Sequence, residues 1–88
     1  NHNNVLTKLF ITFLIIMLNK LKQLESYRLE YTALMKPGGA AQSVTMIRER
    51  QAFIVQLDEG IRMIKNQIQV QETMNNRERE KWLKEKRG

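Results

Sequence analysis

Apolar residues recur at helical spacing along most of the chain, in two registers divided by one break. In the first half Phe10, Met17, Leu24 and Tyr31 repeat every seven residues, and Leu14 and Leu21 follow the first two by four. In the second half Ile47, Ile54, Ile61 and Ile68 repeat with the same period, and Leu57 and Ile64 follow the second and third by three. Such a repeat keeps one apolar stripe on one side of a helix, the pattern of a coiled-coil seam. Between the two seams "KPGGAAQS", residues 36–43, holds the only proline and two of the four glycines. Proline biases the residue before it away from helical dihedrals, and glycine permits the left-handed stop of a helix. The pattern predicts helix 1 over about 5–35, a loop over 36–43, and helix 2 over about 44–85, with Ser43 capping the second helix. Two seams joined by a short loop make an all-α antiparallel coiled-coil hairpin, one unit over residues 1–88.

Folding the chain at that loop sets Met35 against Ser43 and fixes the other pairings. Phe10 then meets Ile68, Leu14 meets Ile64, Met17 meets Ile61, Leu21 meets Leu57, Leu24 meets Ile54, and Tyr31 meets Ile47. The same register sets Arg28 beside Arg50, a like-charge rung, and leaves "MNNREREKWLKEKRG", residues 74–88, as a charged overhang with Trp82 as its one apolar seam residue.

The first helix is not uniform. Between residues 19 and 30 the positions off the seam include Asn19, Lys20, Lys22, Gln23, Glu25 and Ser26, which suit water. Earlier in the helix, Leu9 and Ile16 lie about 100° to one side of the seam and Ile11, Ile15 and Leu18 about 100° to the other, given roughly 3.6 residues per turn. One returning arm covers one stripe and cannot reach both flanks. Leaving such side chains in water forgoes roughly 1.5 to 3 kcal/mol each, and an exposed apolar patch itself attracts association. The expected remedy is a partner chain, with Leu9, Ile11, Ile15, Ile16, Leu18, Phe53 and Gly60 at the intermolecular interface and a four-helix bundle as the assembly. Gly60 would allow close backbone approach. Met17, Met35, Met46, Met63 and Met74 read as core filler because they share the helical spacing of the isoleucines.

The apolar run does not read as a targeting or spanning segment. Lys8 and the run after it resemble the start of a signal peptide, yet no small-residue cleavage site follows. From Val5 to Leu18 the run would extend roughly 21 Å as a helix, short of a hydrocarbon core of about 30 Å.

Size points the same way as the pattern. A chain of 88 residues with no cysteine has neither disulfide nor thiolate metal site to supplement a small core, and a partner chain is the usual remaining support. The sequence begins at Asn1 and reads as part of a larger scaffold, adaptor or complex subunit. The expected location is intracellular, cytoplasmic or nuclear.

Net charge is +6, of which +3 falls within residues 75–88. There Arg77, Arg79, Lys81, Lys84, Lys86 and Arg87 are interspersed with Glu78, Glu80 and Glu85, and Glu80 with Lys84 has the spacing of a favourable helical ion pair. That mixture suits a solvated helix. The six cations are also the candidates for phosphate contact, whether nucleic acid or membrane surface, as the alternative to a protein-binding role. Lys8, Lys20 and Lys22 beside the apolar end form the corresponding membrane alternative.

Catalysis is not expected. The sole histidine, His2, lies at a polar terminus, and Asp58 and Glu59 are adjacent and so diverge on a helix. "PGGAAQS" lacks the spacing of a phosphate-binding loop. No cofactor, metal or small-molecule substrate is implied. The sequence is that of a non-catalytic protein-protein interaction or assembly module.

Overall fold

The computed structural model describes residues 2–35 and 43–87. Two helices account for nearly all of them: α1, His2–Leu34, and α2, Val44–Arg87. They lie side by side as an antiparallel coiled-coil hairpin, a rod of 69 × 16 × 16 Å. The predicted break falls outside the described residues except for Ser43. That serine caps α2: its Oγ accepts a hydrogen bond from the Met46 amide at 3.1 Å, and its carbonyl accepts one from the Ile47 amide. Two of the first amides of α2 thereby gain partners that the helix itself cannot supply.

All twelve seam residues are buried or half-buried. Leu57 and Ile61, at 5% and 9% exposure, are the most deeply covered. Three of the methionines are not core filler: Met46, Met63 and Met74 are exposed, because they lie off the stripe that faces α1.

The register differs from the one the loop suggested. Leu24 packs against Gly60 rather than Ile54, Tyr31 stacks on Phe53 rather than Ile47, and Arg28 pairs with Asp58 rather than Arg50. Each contact lies about one heptad further along α2. A slide of that length keeps each stripe on the other but sets Asn75 and Gln71 against Phe10 and Leu14, so hydrophobic burial alone does not favour the observed register. Local chemistry does. The predicted arginine rung becomes a forked ion pair, in which Arg28 Nε donates to Asp58 Oδ1 and Nη2 to Oδ2 at 3.4 Å. The Tyr31 and Phe53 rings meet at 4.6 Å between centroids and 55° between planes, a tilted geometry that suits their quadrupoles. At Gly60 a Cβ would stand 3.3 Å from Leu24 Cδ1, so the glycine supplies the close approach expected of it, towards Leu24 of its own chain.

The slide removes the overhang expected at residue 74. Leu6 and Thr7 of α1 line one cleft with Asn75, Glu78 and Trp82 of α2, so the first turns of α1 run alongside that stretch. By the same register Phe10 and Leu14 face Asn75 and Gln71 in place of isoleucines.

Candidate docking interface

The residues expected to meet another chain fall into two groups. Leu9, Ile11, Ile15, Ile16 and Leu18 are all exposed, from 46% for Ile16 to 61% for Leu9. They occupy the two flanks of α1 that α2 does not reach. Phe53 and Gly60 belong elsewhere: both are half-buried and face the hairpin's own seam, against Tyr31 and Leu24. The heptad slide brings them there.

The outer line of this part of α1 is polar only at Lys8, Thr12 and Asn19. Thr12 Oγ1 donates to the Lys8 carbonyl at 2.8 Å, so its hydroxyl already has a partner within the helix and can be covered without an unmet donor. The lysine carries an aliphatic stem that can lie along apolar surface with its ammonium in water. Five branched side chains bordering Lys8, Thr12 and Asn19 form a surface suited to a second apolar helix.

The two ends of the rod carry different chemistry. Towards the loop, Tyr31, Met46, Glu49, Arg50 and Phe53 line a shallow cleft of about 340 Å³, and Arg50 Nη1 is buried without a hydrogen-bond partner. Arg28 titrates above the ordinary arginine range, because the Asp58 carboxylate first accepts its hydrogen bond and then attracts its charge. At the other end, Leu6, Thr7, Asn75, Glu78, Arg79 and Trp82 line a cleft of about 360 Å³, and Lys86 Nζ sits 5.1 Å from the Trp82 ring centroid. The six cations from Arg77 to Arg87 are all exposed. The ion pair expected between Glu80 and Lys84 does not form; the salt bridges among the described residues are Arg28 with Asp58 and Arg62 with Glu59. Exposed helical pairs gain little over solvation, which leaves both side chains free in water.

By length and composition Asn4–Leu34 would suffice to cross a membrane, with a best 18-residue window of mean hydropathy 1.6 and none of it buried. One such helix is weak support for a span, since the core helix of a soluble protein and a signal sequence near the N-terminus pass the same test. The seam of α1 is moreover occupied by α2, whose facing stretch holds Gln71 and Asn75. Among the described residues no three His, Asp or Glu side chains converge as a metal site.

A seam-packed helical hairpin with an uncovered apolar flank belongs to the class of coiled-coil proteins. The family described as flagellar FliJ protein matches residues 14–88, and the chain belongs to it. Ile15, Ile16 and Leu18 lie within the matched region, and Leu9 and Ile11 precede it. No curated protein and no solved structure matches the chain. FliJ proteins are helical coiled coils of flagellar export and assembly; they are not enzymes, they act in protein complexes, and in general they are soluble and cytoplasmic.

Proposed function

We propose that this chain is an assembly subunit of cytoplasmic flagellar export that docks on a helical partner chain through the apolar N-terminal half of α1. The observation that carries the reading is the exposure of Leu9, Ile11, Ile15, Ile16 and Leu18 in a hairpin with only two buried hydrophobic residues among those described. Such a rod has too small a core to stand well alone, and it keeps its largest unspent apolar surface in one place. A second copy supplies the simplest cover. Two hairpins laid flank to flank would give a four-helix bundle, with Ile11, Ile15 and Leu18 at knob positions.

Sedimentation at micromolar concentration, with the native sequence and with Ile15→Glu, tests this. The native chain should run as a dimer and the variant as a helical monomer. A monomer in both samples would remove self-association. The partner would then have to be another export subunit, read by capture of a purified export complex on the native hairpin and its loss with Ile15→Glu. Failure of capture as well would end the docking reading.

A further inference from the structure

The register places chemistry at the rod's terminal end that the docking flank does not use. We infer that this tip, built from the first turns of α1 and the last of α2, binds an anionic lipid surface. Arg77, Lys81 and Lys84 follow one another by four and three positions and so form a cationic stripe on one flank of α2. Arg79, Lys86 and Arg87 stand nearby, and the stretch from Arg77 to Arg87 has a net charge of +3. None of its cations or glutamates takes part in an ion pair, so the excess is not neutralised within the hairpin. The first turn of α1 carries no acidic residue, so nothing in it offsets that excess.

Apolar side chains share this tip. Val5, Leu6, Trp82 and Leu83 are 39% to 54% exposed. An indole pairs an apolar body with one polar N–H and is suited to the boundary between headgroups and acyl chains. A few apolar wedges ringed by lysine and arginine are the elements of interfacial binding, in which the cations meet anionic headgroups and the wedges enter beside them. A nucleic acid fits less well. The tip has one aromatic ring, Trp82, and no row of rings on which successive bases could stack. These residues differ from the five on the docking flank, so the inference stands or falls separately from the proposed assembly role.

Vesicle flotation of the full chain tests it, with Trp82, the only tryptophan, as an internal probe. The native chain should float with phosphatidylcholine vesicles containing about a third phosphatidylglycerol, and Trp82 emission should shift to the blue. It should stay behind with phosphatidylcholine alone, and the bound fraction should drop at least about fivefold near 0.5 M salt, where screening is strong. Arg77→Glu with Lys81→Glu and Lys84→Glu should abolish flotation while helicity and sedimentation are retained, and Ile15→Glu should float normally. Equal flotation with neutral vesicles, flotation that survives the triple reversal, or loss with Ile15→Glu alone would overturn the inference. So would tighter binding to single-stranded RNA than to the anionic vesicles at matched phosphate concentration.

Discussion

The middle of the hairpin and its terminal end are built from the same seam, yet they hold together differently. From Leu21 to Tyr31 the first helix meets α2 between Phe53 and Ile64. That segment contains the two most buried of the described residues, the tilted aromatic pair, the glycine contact and the forked ion pair. From Asn4 to Leu18 the helix is more apolar and less covered, because the second arm offers Gln71 and Asn75 where the first offers Leu14 and Phe10. Hydrophobic content therefore does not predict where a hairpin is most stable. Complementarity does: the middle has apolar partners and paired charges on both arms, whereas at the terminal end the second arm sets Gln71 and Asn75 between Ile68 and Trp82.

Changes in the two regions should separate accordingly. Leu57→Ala opens a cavity at the most buried side chain, and such deletions cost roughly 2 to 5 kcal/mol. For a two-helix rod this is expected to be most of the stability, read as a large drop in the midpoint of thermal unfolding by circular dichroism. Ile15→Glu should leave helicity within error and abolish association, the reverse signature. Giving the second arm what it lacks, by Gln71→Leu with Asn75→Leu, should raise stability by about 1 to 2 kcal/mol per site in a chemical denaturation series, since each new side chain is buried only in part. A smaller gain, up to about 1 kcal/mol, is expected from Gly60→Ala. Alanine is the better helix former, and its methyl would meet only the flexible end of Leu24 at 3.3 Å. A loss there would show that Leu24 cannot yield.

The ion pair should give the smallest effect on stability, because both side chains are largely exposed. Its pH dependence has a definite sign. Arg28 binds its proton more tightly in the folded chain, so this contribution is complete throughout the neutral and moderately alkaline range and is lost only as pH rises through strong alkali. Denaturation midpoints in mild alkali should therefore show no step from this group. Arg28→Glu should lower the midpoint slightly, and Arg28→Glu with Asp58→Arg should restore it.

Much of this architecture is legible in the residues. The isoleucine heptads of α2 and the Phe10 to Tyr31 series define both seams, and the Pro-Gly-Gly segment separates them. The uncovered flanks at Leu9, Ile11, Ile15, Ile16 and Leu18 also follow from counting angles around one helix. Register is less accessible, because sliding by seven residues leaves every seam position on the seam. The like-charge rung of Arg28 and Arg50 marked the fault, and Asp58 lay eight positions beyond Arg50 as the remedy. Phe53 and Gly60, expected at a partner chain, depend on the same choice: in the observed register they meet Tyr31 and Leu24 of their own chain.

The central claim is that this slide sets Asn75 and Gln71, in place of isoleucines, against Phe10 and Leu14 in the apolar N-terminal half of α1. Because the chain has no cysteine, pairs can be introduced cleanly and joined with a short thiol cross-linker within one molecule. Arg28→Cys with Asp58→Cys should cross-link rapidly, and Arg28→Cys with Arg50→Cys, displaced by about 12 Å along the helix, should cross-link slowly. The opposite order would restore the isoleucines to Phe10 and Leu14 and contradict the account.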